Sequence, residues 1–297
     1  MDAIITTGRK CQESSIVLAK KFAAKLNIKF VERCNISVKK LAELNNVQYA
    51  LVAKKNSLRL VTANEEIFFH PSLAHLRIKN ILNGEGDRLI EAMNLRQGMK
   101  VLDCTLGLGT DSIVESFIVG DEGSVTALEI NPYLAAVVEH GLQNFNDDTD
   151  KVINAMRRVK VVNVDYLDFL RSSADDSFDV VYFDPMFRHS LERSSSLNSI
   201  RAVADKRALS VEAVEEATRS VDIGGVEEAA ENGVALERPT EDEEEEVTSS
   251  YLDTESGGFI EGFKKGLNSN NEEIQENIDN AKQILNGDIE SEEMEGQ

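Results

Sequence analysis

The chain has 297 residues, 41% of them hydrophobic, which gives room for one large or two small domains, and a formal net charge of −21. The charge is uneven: residues 221–297 hold 23 acidic and 4 basic side chains, whereas residues 1–220 hold 30 and 28, so the acidity belongs to a tail and does not exclude a nucleic-acid partner for the rest. Three cysteines without C-x-x-C spacing give neither a zinc site nor a disulfide framework; with no signal pattern and no apolar run near the roughly 18 residues of a membrane span, a soluble protein of the reducing cytoplasm is expected.

Residues 3–7 form a β-branched run that stops at Gly8, and a helix is predicted over 13–26, where Ile16, Ala19, Ala23 and Leu26 share a face. Strands are predicted at 29–31, 48–53, 58–62 and 67–69 and a helix at 38–44, which together make residues 1–70 a small α/β extension. Arg9 and Lys10 beside Gly8 are either a solvated pair or a phosphate contact. The segment H-P-S-L-A-H-L-R-I-K-N-I-L then opens a helix, with Pro71 suited to its first turn, and G-E-G-D leads to a second helix over 88–93. His70 and His75 stand five apart, one more than the spacing that aligns two imidazoles on a helix face, so no metal is expected.

Lys100 to Ser112, K-V-L-D-C-T-L-G-L-G-T-D-S, reads as a strand, a glycine loop and a helix start: Val101 and Leu102 lead to Asp103, Gly107 and Gly109 allow a sharp turn, and an apolar helical segment follows. Strands over 124–128, 159–164 and 178–183 alternate with helices over 132–142, 166–170 and 209–217. Continuous apolar strands separated by helices predict a Rossmann-like parallel sheet with helices on both faces, here over residues 71–220, whose ligand lies at the strand carboxyl ends. Four strands end in an acid: Asp103, Glu129, Asp165 and Asp184. Glu129, 20 residues after Gly109, is placed for ribose hydroxyls, and Asp165 for an adenine amino group with Tyr166 on the ring. A dinucleotide loop would need glycine at 112, where the chain has Ser112.

The spacing D-x-T-x-G-x-G-x-D, with Asp103, Thr105, Gly107, Gly109 and Asp111, resembles motif I of the class I S-adenosylmethionine methyltransferases, whose cofactor has no pyrophosphate to accommodate, and the resemblance implies that these five residues bind it. D-P-M-F is similar to the D/N-P-P-Y/F motif of enzymes that methylate exocyclic amines of nucleobases. The lone pair of such an amine is delocalised into the ring, so the site must favour a more tetrahedral nitrogen. The resemblance implies that Asp184 and the carbonyl of Pro185 accept its N–H bonds while Phe187 stacks on the base. A-H-x-R, G-x-G-D, the glycine loop and D-P-M-F in this order resemble the RsmJ-like family, small-subunit ribosomal RNA guanine-N2 methyltransferases, over residues 65–217. By that family's pattern Thr110, Asp111, Glu129, Ile130, Asp165, Tyr166 and Asp184 line the cofactor; Arg188 stands where the family carries proline. The runs I-T-T-G-R-K and F-F-H-P-S-x-A-H-L-R-I-K-N look more like those of uncharacterised Gram-positive relatives.

The resemblance implies a methyltransferase that uses S-adenosyl-L-methionine, needs no metal or membrane, and acts on a guanine amine of small-subunit (16S) ribosomal RNA. A protein or small-molecule acceptor, or a binding module without turnover, are the alternatives. Residues 221–297 are expected to be an acidic, largely disordered tail, with a weak strand at 233–239 and helical spacing near 259–267 and 274–285.

Overall fold

Apolar runs build two sheets, and amphipathic segments between them pack as helices. The computed structural model describes residues 2–184, 203–205, 207 and 209–221. The amino-terminal part comprises β1 (Ala3–Thr7), α1 (Glu13–Leu26), β2 (Lys29–Phe30), α2 (Val38–Leu44), β3 (Tyr49–Ala53), β4 (Leu58–Val61) and β5 (Glu66–Phe68). Its sheet runs in the order β2-β1-β3-β4-β5, with the first three strands parallel and the last two added as antiparallel meanders. β1 is buried at all five positions, as a strand flanked by parallel neighbours requires.

The second part comprises α3 (Ser72–Leu82), α4 (Arg88–Ala92), β6 (Lys100–Asp103), α5 (Thr110–Val119), β7 (Ser124–Leu128), α6 (Pro132–Asn144), α7 (Asp150–Arg158), β8 (Val159–Val162), α8 (Tyr166–Ser172), β9 (Val180–Tyr182) and α9 (Val211–Ser220). Its strands are all parallel, in the order β8-β7-β6-β9. The order therefore reverses between β6 and β9, which opens a crevice at their carboxyl ends. This is the expected Rossmann-like sheet.

The core positions that crevice. One apolar cluster runs from Ile5, Leu51 and Leu60 of the first sheet through Leu134 and Val138 of α6 to Ile113 of α5 and Met156 of α7. A second joins Leu102, Leu128, Val181 and Phe183 to Leu170 of α8 and Val214 of α9, so helices cover both faces of the parallel sheet. Among the described residues no helix is long and apolar enough to cross a membrane.

Two elements differ from the expectation. α7 was not anticipated: Thr149 caps it by accepting from the Val152 N–H at 3.5 Å, and Val152, Ala155 and Met156 bury its inner face. β9 is shorter than residues 178–183, because Phe178 instead forms an isolated parallel bridge with Val221 as the chain leaves α9. Pro185, Phe187, Arg188, the strand expected at 233–239 and the helical spacings of the tail lie outside the described residues.

Candidate active site

The site begins where β6 ends. Asp103 is buried, and its carboxylate accepts from the Thr105 N–H at 2.9 Å and from the Ser112 hydroxyl, so it ties the start of the loop to the first turn of α5. The loop turns at Gly107 (φ 52°) and Gly109 (φ 78°); a Cβ at Gly109 would also stand 3.2 Å from Val138 Cγ1. The Leu106 N–H donates to the Leu128 carbonyl at 2.9 Å, which fastens the loop to β7. From β9, the Asp184 N–H donates to the Thr105 hydroxyl at 2.7 Å, joining the two strands on either side of the crevice.

A cavity of about 440 Å³ occupies that crevice, within the size range of small-molecule sites. Thr105, Gly107, Thr110, Asp111, Glu129, Ile130, Tyr166 and Asp184, all singled out in the sequence, line it. Asp103 and Gly109 stand behind its wall and shape the loop. Asp165 is not on the wall either: it caps α8 by accepting from the Leu167 N–H at 2.8 Å, and its other oxygen accepts from Arg207 at 2.6 Å. The Arg207 guanidinium lies 5.6 Å from the centre of the Tyr166 ring.

Burial governs the charges here. It raises Glu129 to about 7, with Asp103 and Asp205 adding to the effect, even though the carboxylate accepts from the backbone of Asn131 at 2.8 Å and of Gly107. It likewise raises Asp184 to about 7, reinforced by Asp111 and Asp103, and Asp103 itself to about 6. Glu115, on α5, is fully buried, its oxygens have no hydrogen-bond partner among the described residues, and its pKa is pushed well upward. Each of these acids is held where a negative charge is costly. A ligand with a positive centre relieves that cost; a diphosphate adds to it.

The role of one residue of this network was not legible in the sequence. Arg77, the arginine of A-H-x-R, donates to both Asp87 oxygens at 2.7 and 2.8 Å and to Asp111 at 2.5 Å. Burial works against its charge, yet the Asp87 and Asp111 carboxylates carry its pKa upward. Three motifs separated in sequence, A-H-x-R, G-E-G-D and the glycine loop, thus meet at a single guanidinium. The only hint in the sequence was their co-occurrence. His75 pairs with Asp148 at 2.6 Å, and His70 accepts from the Ser72 N–H at 3.2 Å.

The site as built is a nucleoside-sized, acid-rooted cavity at the strand-order reversal, and comparison with known proteins names its class. A family profile described as "Putative SAM-dependent methyltransferase" matches residues 34–203. The chain belongs to this family. Its cofactor is S-adenosylmethionine, and the positive sulfonium of that cofactor suits a cavity lined by Glu129, Asp111 and Asp184. The chain is 34% identical to the uncharacterized protein YpiP of Bacillus subtilis over 73% of its own length and 84% of that protein. It is 32% identical to ribosomal RNA small subunit methyltransferase J of Shewanella loihica over 48% of its length, spanning 57% of that relative. A crystal structure of a SAM-dependent methyltransferase from Neisseria gonorrhoeae aligns at a TM-score of 0.42 and 18% identity, covering 68% of this chain and 81% of that one. As the amino-terminal runs led one to expect, the match to an uncharacterised protein is the more extensive of the two relatives.

Proposed function

We propose that this methyltransferase acts on a guanine exocyclic amine of small-subunit ribosomal RNA. Two observations support the acceptor: the likeness to relatives named ribosomal RNA small subunit methyltransferase J, and D-P-M-F starting at Asp184. The observation that carries it is the position of Asp184, on the cavity wall at the β6/β9 crevice with its carboxyl raised to about 7.

S-adenosylmethionine, when bound, would supply an electrophilic methyl group, the methyl–sulfur bond breaking with its electron pair left on sulfur as a neutral thioether. The chain's own residues hold and orient. Of the residues that line the cavity, Glu129 would hold the ribose hydroxyls, Ile130 and Tyr166 the adenine, and Thr105, Gly107, Thr110 and Asp111 the methionine end. Asp184 accepts an N–H bond from the acceptor amine, which draws its lone pair out of conjugation. It then takes up the proton that the nitrogen loses as the new N–C bond forms; a pKa of about 7 suits that exchange at neutral pH. Pro185 and Phe187 follow Asp184 in D-P-M-F, and it is the likeness of that motif, not their placement, that assigns them the second acceptor and the stacking platform.

The test is methyl transfer from labelled S-adenosylmethionine to small subunits from cells lacking this protein, followed by nuclease digestion and mass spectrometry. N2-methylguanosine is expected. Label in protein, or in any nucleoside other than N2-methylguanosine, overturns the acceptor.

A further inference from the structure

The run I-T-T-G-R-K at the start of the chain takes no part in the cavity, and the fold gives it another place. β1 lies between β2 and β3 and is parallel to both, so the strand order of the first sheet also reverses, and the loops leaving these three strands emerge on one edge. In open α/β sheets such a reversal makes a crevice at the carboxyl ends. The loops carry Arg9 and Lys10 after β1, Arg33 after β2, and Lys54 and Lys55 after β3. They are drawn together: the Gly8 N–H donates to the Ala53 carbonyl at 3.1 Å, and the Val31 N–H to the Ile5 carbonyl at 2.8 Å.

These cations are largely uncompensated. Arg9, Lys10 and Lys55 are exposed and form no hydrogen bond or ion pair among the described residues. Arg33 donates only to backbone, to Ile36 at 3.0 Å and Thr7 at 3.5 Å; burial followed by the charge of Arg9 lowers its pKa, and the charge of Glu66 offsets this only in part. Lys54 sits 3.6 Å from Glu66, which Arg59 already holds at 2.7 Å. The remaining acids of these loops and of the first turn of α1 are Glu32 and Glu13. The charge of Arg9 reaches Arg33 across the crevice, and like charges gathered at the ends of β1, β2 and β3 mark a place where an anion would be welcome.

This edge is separate from the cavity. Leu134, in the first turn of α6, lines the cavity, whereas the Asn56 backbone, next to Lys55, bonds His140 on the same helix. The helix rises about 9 Å between those two residues at 1.5 Å each. A ligand that reaches both places must extend along α6, as a strand of several phosphates does.

We propose that Arg9, Lys10, Arg33 and Lys55, around the β1/β3 crevice, form a second binding surface for the phosphate backbone of an RNA whose target base enters the cavity. The choice of RNA rests on the acceptor proposed above; the phosphate chemistry does not. The test uses the full chain and its R9E/K10E and K55E variants, with fluorescence anisotropy of a labelled RNA stem-loop and of a guanine mononucleotide over a salt series. In R9E/K10E, stem-loop affinity at low salt should fall at least about tenfold, and the slope of log affinity against log salt should become shallower by about 1–2, the loss of two phosphate contacts. K55E should show about half that change in slope. Stabilisation by S-adenosylhomocysteine should be unchanged in both, which shows an intact fold and cavity. Unchanged stem-loop affinity and slope in correctly folded variants overturns the proposal, as does a loss seen for the mononucleotide alone, or a wild-type protein with no salt-dependent RNA affinity. If the variants lose RNA while the wild type methylates a different class of acceptor, the acceptor reading and the entry of a target base fall, and only the phosphate-binding surface stands.

Discussion

At the carboxyl edge of β6 to β9 the chain places Asp103, Glu129 and Asp184; at the carboxyl edge of β1 to β3 it places Arg9, Lys10, Arg33 and Lys55. Both edges lie at a reversal of strand order, so topology alone does not distinguish them. The difference is in burial. The acids of the second sheet are enclosed, and burial raises Glu129 and Asp184 to about 7, near the pH at which a proton can be exchanged. The bases of the first sheet stand mostly in solvent, where their charge is kept and acts at a distance. One reversal is thus suited to chemistry on a small cationic ligand, the other to holding a large anion. The predictions that follow probe the enclosed edge, where the contrast is sharpest.

The largest effect is expected at Asp184. Asp184→Ala should lower turnover by about two orders of magnitude or more, as for the loss of a positioned proton acceptor, while the melting-temperature rise with S-adenosylhomocysteine changes little. If its ionised form is the acceptor, wild-type kcat/KM for S-adenosylmethionine, which reports the cofactor-free site, should climb with pH through about 7, and Asp184→Asn should lack that limb. A flat wild-type profile with chemistry rate-limiting would remove Asp184 from proton transfer.

Next is Arg77, which holds Asp87 and Asp111 together. Arg77→Met leaves two partly buried carboxylates without their cation and should cost about 3 kcal/mol of unfolding free energy in urea melts. Arg77→Lys should recover only a minor part, because an ammonium cannot fork to both Asp87 oxygens and reach Asp111 as well. Full recovery by lysine would mean that charge, not geometry, is what the network needs.

Glu129 should separate stability from binding. Its folded pKa of about 7 lies above the ordinary 4.5, so the native state holds the proton more tightly than the unfolded chain. That contribution is fully present below about pH 4.5 and is lost as pH rises through about 7. Cofactor-free Glu129→Gln should therefore lose less stability than the wild type between those limits, seen as a flatter melting temperature against pH. The same variant should bind S-adenosylhomocysteine more weakly by roughly 1–3 kcal/mol, the scale of hydrogen bonds to a charged group. Calorimetric affinity equal to the wild type would exclude Glu129 from the ribose contact.

The contrast between the two edges was only half legible in the sequence. The parallel sheet could be read because its strands are continuous apolar runs separated by amphipathic helices, and eight residues of the cavity wall because the glycine loop and the strand ends are local signals. The order of the first sheet could not be read: the strand runs do not state that β3 returns to the far side of β1, so Arg9 and Lys55 looked unrelated. α7 was hidden because D-K-V-I-N-A-M-R-R is two and a half turns long, charged at both ends, and follows an Asn- and Asp-rich stretch that reads as loop. Arg77 was seen but given no role, because its partners Asp87 and Asp111 are 10 and 34 residues away and only packing of α3 on α5 brings them together. Asp103 was read as a ligand contact on the strength of its position; its burial and its bonds to Thr105 and Ser112 make it a support for the loop.

The smallest effect concerns Ser112, which in the sequence was notable for not being glycine. In the fold its hydroxyl donates to the buried Asp103 carboxylate, one of the few contacts that favour the ionised form of an acid already raised to about 6. Ser112→Gly restores the spacing of a dinucleotide loop, but it removes that donor and adds backbone freedom inside α5. It should lower stability by roughly 1–2 kcal/mol, from a lost hydrogen bond and a helical glycine, and push Asp103 further upward. It should not create NAD affinity, because the cavity would still present Glu129, Asp111 and Asp184 to a diphosphate. Parallel calorimetric titrations of S-adenosylhomocysteine and NAD into wild type and variant decide the point. NAD binding in the variant would show that the third glycine, rather than the acidity of the cavity, is what turns the dinucleotide away.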